Sequence, residues 1–230
     1  GAIVVAASLI LGRVKGVKKP ALAMYFPNID ERANIVLDVG ASAECDVDDF
    51  VKFSVMGRTY AQEMLSIASP RIGLLNIGEE SHKGTSVLKN TNKKMHELNL
   101  NFVGNVEGRD LFTTKADVIV CDGHIGNVAL KTAEGTADII FKLLKRFIKA
   151  DIVAALSSPL YKKALKKMQN ALDPELYGGA PLLGVNGNVF IGHGSSGRMA
   201  IQCGIQAAAH SVRSDVLGKI NQKMKEFHLA

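Results

Sequence analysis

Short apolar runs and longer amphipathic stretches alternate along the chain. The apolar runs end in loops rich in Gly, Asp and Asn, and several runs are continuously apolar, which is typical of strands buried on both faces of a sheet. This alternation predicts an α/β fold of three layers, in which helices cover both faces of a largely parallel sheet. The predicted strands are 21–26, 35–39, 71–77, 100–103, 117–121 and 189–191, and the predicted helices are 47–67, 86–98, 125–149, 152–172 and 195–227.

The length of 230 residues suits a single catalytic α/β domain that spans 1–230. Residues 1–14 are predicted to form a helix without an N-terminal cap, followed by a strand. A doubly wound sheet normally has more chain before this point, so we expect that an N-terminal part is missing. The sequence has neither the ~18 consecutive apolar residues of a membrane span nor a secretory signal pattern. Three widely spaced cysteines without a CxxC motif favour a reduced, cytoplasmic protein.

The basic charge is concentrated in one segment. The chain carries 28 Lys+Arg and 22 Asp+Glu, a formal net charge of +6. Residues 139–170 contain eight basic residues and one acidic residue, whereas the remainder contains 20 basic and 21 acidic residues. A near-neutral body argues against nucleic-acid binding driven by bulk charge, and the local excess predicts an anionic partner for that segment.

Polar residues and glycines follow five of the predicted strands. Ligands of open parallel sheets bind beyond the carboxyl ends of the strands, so we expect these loops to share a cleft. Glycines let backbone N–H groups approach an anion, and Lys83 and Arg109 add cationic donors, which indicates a phosphate-type pocket. Glycine and asparagine are also common in purely structural turns, which remains the alternative for any one loop. The phosphate- or substrate-binding candidates are Asn76, Gly78, Glu79, Asn105, Glu107, Arg109, Asp122, Gly123, His193, Gly194, Ser195 and Ser196.

Other kinds of site fit the sequence less well. The histidines are too scattered for a zinc site, so we expect no metal. Cys121 could accept an acyl group, but a cysteine at a strand end usually serves packing. The segment 194–197 lacks the Gly-x-Ser-x-Gly pattern of serine hydrolases. Neither a dinucleotide-binding glycine motif nor a Walker loop occurs, and we expect no cofactor.

Residues 139–170 are predicted to form a basic amphipathic helical hairpin. Its lysines and arginine recur at helical spacing beside apolar residues, and Pro159 predicts a break in the second helix. A solvated surface, an apolar tip that enters an anionic bilayer surface, and a dock for an acidic protein remain alternatives. The membrane-binding candidates are Leu144, Phe147, Ile148, Ile152, Leu156, Lys145, Arg146 and Lys149.

A series of motifs in the same order resembles the bacterial phosphate acyltransferase family. They span nearly the whole chain, whereas Gly197-Arg198-Met199 departs from the family's usual residues. The motifs are Leu37-Asp38-Val39-Gly40-Ala41, Gly73-Leu74-Leu75-Asn76-Ile77-Gly78-Glu79-Glu80, Gly104-Asn105-Val106-Glu107-Gly108-Arg109-Asp110, Cys121-Asp122-Gly123, Gly126-Asn127-Val128-Ala129-Leu130-Lys131-Thr132, Tyr177-Gly178-Gly179-Ala180-Pro181 and His193-Gly194-Ser195-Ser196.

The resemblance implies a fold similar to the isocitrate/isopropylmalate dehydrogenase and phosphotransacetylase group. It also implies transfer of a fatty acyl group from acyl carrier protein to inorganic phosphate for phospholipid synthesis, by a homodimer on the cytoplasmic face of the membrane. Phosphate is then the nucleophile, and we expect Lys83 and Asn127 to be the catalytic residues, because they match the family's motifs and could bind phosphate and the thioester carbonyl. An acyl-coenzyme A:phosphate transferase and a non-catalytic module that binds membrane or carrier protein are the alternatives.

Overall fold

The computed structural model describes residues 1–30, 32–172, 178–194 and 196–230. Helices and strands alternate through most of the chain, which is the pattern that the sequence predicts. Their order is α1 (Ala2–Ile10), β1 (Ala21–Pro27), β2 (Ala33–Leu37), α2 (Val47–Leu65), β3 (Ile72–Leu75), α3 (Ser86–Glu97), β4 (Phe102–Val106), a short 3-10 helix (Gly108–Phe112), β5 (Val118–Val120), α4 (Gly123–Ala150), α5 (Ile152–Ala171), β6 (Ala180–Leu183), β7 (Val189–Ile191), α6 (Arg198–Arg213) and α7 (Val216–Glu226).

The strands form one seven-stranded sheet in the order β4-β3-β5-β2-β1-β6-β7. Strands β4, β3, β5 and β2 are mutually parallel. Strand β1 is antiparallel to both β2 and β6, and β7 is antiparallel to β6. Strand β6 therefore runs in the same direction as the four parallel strands, while β1 and β7 run the opposite way. The predicted α/β class with a largely parallel sheet is confirmed.

Helices cover both faces of the sheet, and the core cluster on one face is larger than those on the other. The larger core cluster joins the sheet to α2 and α7, with Phe53, Tyr60 and Met224 among its buried members. Helix α2 begins at a reciprocal cap in which Asp46 and Asp49 each accept the other's backbone N–H. On the opposite face, the start of α4 packs over a second cluster and α1 covers a third, smaller one near β6.

Two predicted helical regions differ from the structure. The helix predicted over 195–227 is divided into α6 and α7, because Asp215 adopts a left-handed backbone and its carboxylate caps the new helix at Gly218 N. The helix predicted over 1–14 ends at Ile10, and the break predicted at Pro159 does not occur, because the described part of α5 continues through that residue. Nearby in this helix, the hydroxyl of Tyr161 donates to Ala154 O at 2.5 Å.

Two strands also differ from the prediction, which omits β6 and ends β4 too early. The sequence gives little sign of β6, because its second residue, Pro181, cannot donate a ladder hydrogen bond and the surrounding glycines indicate a loop. Gly104 and Asn105 belong to β4 rather than to the loop after it. Strand β4 begins two residues later than predicted, so its polar end is drawn into the sheet.

The predicted protruding hairpin is present as α4 and α5. Asp151 alone joins the two helices: its N–H donates to Phe147 O, and its carboxylate accepts from Ala154 N at 2.8 Å. In α4, only Gly123, Gly126 and Leu130 are buried, and α5 has no buried residue in its described part. Beyond its first turns α4 therefore extends away from the body. No helix of the described ranges is long and apolar enough to cross a bilayer.

Candidate active site

Four of the five loops predicted to share a cleft do lie at one edge of the sheet. Strands β2, β5, β3 and β4 are adjacent and parallel, with Leu37 opposite Val120 and Leu75 opposite Val106. Their carboxyl ends therefore point the same way, and the loops that follow them line a common edge. This edge contains the loops that begin at Asp38, Asn76, Glu107 and Cys121.

The fifth loop, after β7, lies elsewhere. Because β7 runs opposite to the four parallel strands, His193, Gly194 and Ser196 follow it at the other edge of the sheet. The backbone N–H of His193 donates to Ser196 Oγ at 3.0 Å, so this turn is held locally. The expectation that all five loops meet in one cleft of this chain is therefore wrong for this loop. Ser195 lies outside the described residues.

The first turn of α4 is pressed against the loop after β2. Asp122 caps the helix by accepting from Ile125 N at 2.8 Å. A methyl group at Gly123 would lie 2.1 Å from Ser42 O, and one at Gly126 would lie 1.9 Å from Asp38 O. Only glycine therefore permits this approach of the two backbones.

Asn127 follows directly and is exposed at this edge of the sheet. Gly40, in the loop after β2, lies beside it, because a hypothetical methyl at Gly40 would lie 3.8 Å from Asn127 Oδ1. Gly40 has a φ of +139°, a conformation that side chains disfavour. The amide of Asn127 thus lies beside backbone and is exposed to solvent.

Two asparagines that we expected to bind phosphate hold the loop that carries Lys83. Asn76 donates to Lys83 O at 3.1 Å, and Asn105 donates to Glu80 O at 2.8 Å. Both side chains are buried, and Asn105 also accepts from Asn92 Nδ2 at 2.9 Å. Their amide groups are therefore occupied by the protein itself. Their contact with substrate stays a prediction, while their support of the loop is directly visible.

The basic side chains at this edge differ in how tightly they are paired. Arg109 lies 2.6 Å from a carboxylate oxygen of Glu107. Lys83 Nζ, by contrast, is 3.9 Å from the nearest oxygen of Glu80 and is half-exposed. A surface pair at this distance contributes little, so Lys83 can exchange Glu80 for an anionic ligand at small cost.

Lys115 is a further cation at this edge that the sequence did not single out. It lies 2.8 Å from Glu79 and 3.2 Å from Asp110. Burial alone would lower its pKa, but the hydrogen bonds to the two carboxylates outweigh burial and raise the pKa above the ordinary lysine value. Glu79 is therefore engaged in an ion pair, and Gly78 beside it is buried in the turn before Lys83.

Cys121 is packed rather than presented to a substrate. It is 2 % exposed, and its thiol donates to Asp38 O at 3.2 Å. Burial raises its pKa well above the ordinary thiol value. A thiol that is both buried and protonated is a poor nucleophile, which favours the structural alternative for this residue.

Sequence reasoning missed Asp38 as a candidate, although its motif was noted. This carboxylate is completely buried at the carboxyl end of β2. It accepts hydrogen bonds from the loop that follows and from β1. Its donors are Leu22 N, Gly40 N, Ala41 N, Ser42 N and Ser42 Oγ.

Comparison with known proteins identifies the family. A family model described as "Fatty acid synthesis protein" matches residues 1–219. A curated "Phosphate acyltransferase" of Halothermothrix orenii is 42% identical over 228 residues, which cover 98% of this chain and 68% of that protein. Another, of Campylobacter lari, is 44% identical over 229 residues, covering 100% of this chain and 69% of that protein. The chain belongs to the phosphate acyltransferase family. The predicted enzyme class, an acyltransferase of lipid synthesis, is confirmed at this level.

Solved structures support the predicted fold. A phosphotransacetylase from Streptococcus pyogenes superposes with a TM-score of 0.57 at 14% identity, covering 91% of this chain and 59% of that one. The EutD phosphotransacetylase from Staphylococcus aureus gives a TM-score of 0.52 at 14% identity, covering 94% of this chain and 58% of that one. At this identity the likeness concerns the fold. The chain spans about two thirds of the length of the curated phosphate acyltransferases it matches.

The hairpin forms a second candidate surface, distant from the cleft along α4. Phe147, Ile152 and Leu156 are 61%, 78% and 79% exposed, near the turn that joins the helices. Leu144 and Ile148 are half-buried. The adjacent cations, all exposed, are Lys145, Arg146 and Lys149.

Proposed function

We propose that this chain contributes the catalytic body of an enzyme that transfers a fatty acyl group from acyl carrier protein to inorganic phosphate. Membership of the phosphate acyltransferase family carries this proposal. The shared edge at the carboxyl ends of the parallel strands supports it, because that edge has a loosely paired cation, Lys83, and an exposed amide, Asn127. Because phosphate supplies the nucleophile, the proposal invokes neither a metal nor an organic cofactor.

In the proposed reaction, a phosphate oxygen attacks the carbonyl carbon of the thioester. The carbon–sulfur bond then breaks, and the carrier-protein thiolate leaves and takes up a proton, which gives acyl phosphate. Phosphate is itself the nucleophile, so the protein needs only to hold it, align it and stabilise the oxyanion. We assign Lys83 to phosphate or to the developing oxyanion, and Asn127 to the thioester carbonyl or to phosphate.

Formation of labelled acyl phosphate from acyl carrier protein thioester and labelled phosphate tests these roles. Lys83→Ala and Asn127→Ala should each lower kcat by about 10²–10³, which is the typical loss for one oxyanion donor. Lys93→Ala and Asn90→Ala, at exposed positions of α3, are matched controls and should leave the rate unchanged. Near-normal acyl phosphate formation by both cleft variants would refute the assignment of roles.

The acyl donor separates the proposal from its enzymatic alternative. Phosphotransacetylases share the fold, so an acyl-coenzyme A donor is the competing hypothesis. We expect a much higher kcat/KM with acyl carrier protein thioester than with the coenzyme A thioester of the same acyl group. The reverse preference would favour the alternative, and absence of acyl phosphate with both donors would favour a non-catalytic binding module.

We also propose that the tip of the hairpin places the enzyme peripherally on the cytoplasmic face of the membrane. Exposed apolar side chains surrounded by cations are typical of helices that lie at an anionic bilayer surface. Ile152→Glu or Leu156→Glu should therefore abolish sedimentation with phosphatidylglycerol vesicles while activity on soluble acyl carrier protein thioester persists. Ile29→Glu, at an 82% exposed apolar position between β1 and β2, is the control that should keep vesicle binding.

A homodimer is the proposed assembly. Its support is a set of apolar side chains on α1 and α6 that this chain leaves exposed, since large exposed apolar patches often mark subunit contacts. Light scattering at several protein concentrations should give twice the mass of the chain. The most exposed of these side chains are Leu9, Ile10, Met199 and Ile205.

A further inference from the structure

We propose that Asp38 is a positioning residue, which fixes the first turn of α4, and with it Asn127, against the loop after β2. The role rests on the proposed function of Asn127. Asp38 is 0% exposed, and both carboxylate oxygens are used. Oδ1 accepts from Leu22 N at 2.9 Å, Gly40 N at 3.0 Å and Ala41 N at 2.9 Å, and Oδ2 accepts from Ser42 N at 2.7 Å and Ser42 Oγ at 2.6 Å.

No cation pairs with Asp38 among the ion pairs of the described residues, so its partners are backbone N–H groups and the Ser42 hydroxyl. Leaving a buried acceptor without one of its donors costs free energy. The loop is thus held in the one conformation that supplies these donors. Since Leu22 belongs to β1, the carboxylate also ties the loop to the neighbouring strand.

The same hydrogen bonds argue against direct binding of the substrate anion by this loop. Consecutive backbone N–H groups that converge, as those of Gly40, Ala41 and Ser42 do, are a common cradle for a substrate anion. Here the three groups already point at the carboxylate of Asp38. They are therefore committed to the protein, and the loop positions other groups instead of binding phosphate itself.

Contacts with α4 transmit this constraint to Asn127. Hypothetical methyl groups show how close the backbones lie: one at Gly126 would be 1.9 Å from Asp38 O, and one at Gly123 would be 2.6 Å from Asp38 Oδ2. The helix therefore rests on both the main chain and the side chain of Asp38. Gly40, set by the same carboxylate, lies beside the Asn127 amide. A shift of the loop must move the helix start, and a misplacement of about 1 Å can cost a hundredfold in rate.

Ser42 offers a mild perturbation, because its hydroxyl is a single, half-buried donor to Asp38. Ser42→Ala should lower kcat about tenfold, with KM for acyl carrier protein thioester within about twofold of wild type. Ser42→Thr restores the hydroxyl and should recover most of the rate. Cys45→Ala removes the other partner of that hydroxyl and should have no effect. Ser211→Ala, which loses a buried hydroxyl bond to Asn188 elsewhere, should keep kcat.

Amide hydrogen exchange on the same variants gives a readout that does not depend on activity. Ser42→Ala should accelerate exchange together at residues 40–42 and in the first turn of α4, and Ser211→Ala should accelerate neither. Wild-type kcat in Ser42→Ala, or failure of Ser42→Thr to recover the rate, would overturn the proposal. If the wild-type protein formed no acyl phosphate, the proposed function would be refuted, and amide hydrogen exchange alone would then test the positioning role of Asp38. Acceleration confined to residues 40–42 would then overturn the positioning role, and joint acceleration would support it.

Discussion

Replacement of Gly126 by alanine tests the contact between α4 and the loop after β2 most directly. The added methyl would lie 1.9 Å from Asp38 O and 2.9 Å from Cys121 Sγ. Since non-bonded heavy atoms prefer separations of roughly 3.5 Å, the helix start must retreat by about 1 Å or more. Overpacking costs about 1–3 kcal/mol, and the better helix propensity of alanine returns about 1 kcal/mol. We therefore expect a net loss of up to about 2 kcal/mol in the free energy of unfolding.

Gly135→Ala is the matched control on the same helix. No atom lies within 4 Å of the position its methyl would take, so this variant should gain up to about 1 kcal/mol and keep the wild-type kcat. Urea unfolding measures the free energies, and formation of labelled acyl phosphate measures the rates. Gly126→Ala should lose about a hundredfold in kcat, because Asn127 moves with the helix start. If the two variants were equally stable and equally active, the close contact would not be a constraint and the reasoning would be refuted.

Three further predictions concern stability and reactivity. Burial raises the pKa of Asp117, but hydrogen bonds from Arg71 outweigh burial and leave the pKa lowered. Asp117→Asn should therefore lower the free energy of unfolding in urea by about 1–2 kcal/mol at pH 7. This difference should persist above about pH 4 and vanish as the pH falls through the folded-state pKa. Burial raises the pKa of Cys45 to about 11 and that of Cys121 well above the ordinary thiol value. Peptide mass spectrometry should find both alkylated slowly by iodoacetamide at pH 8, and rapidly once the protein is unfolded in urea. Asn105→Leu should lower stability by about 1–3 kcal/mol and raise KM for phosphate, because Glu80 O loses its donor.

The fold was predictable where local patterns and topology agree. Continuous apolar runs such as the one ending at Leu37 identified the parallel strands, and the acidic cap at Asp46 identified the start of α2. The direction of a strand in the sheet could not be predicted in this way, because it depends on pairing between distant segments. The opposite direction of β7 has no local signature, and that direction removes His193 from the cleft.

The candidate site was predictable in position but less so in the division of roles. Asn76 and Asn105 have the residue type and the loop setting expected of phosphate ligands, yet their amides hold backbone carbonyl groups. A sequence cannot distinguish an amide that binds a ligand from one that binds its own chain, since both require the same donor. Asp38 was overlooked for the converse reason: an acid beside glycine is common in turns, and only its burial and its several donors reveal its importance.

Helix α4 joins the two surfaces that the sequence presents as unrelated features. It carries Asn127 in its second turn and ends at Ala150, about 35 Å away at 1.5 Å per residue. Its start is fixed by the Asp122 cap and by contact with Asp38, and Asp151 ends it and starts α5. An uninterrupted helix that is fixed at its start transmits orientation along its length. The contacts that position Asn127 therefore also orient the basic hairpin. The small residues at the start of α4 thus affect the positions of both the cleft residues and the proposed membrane surface.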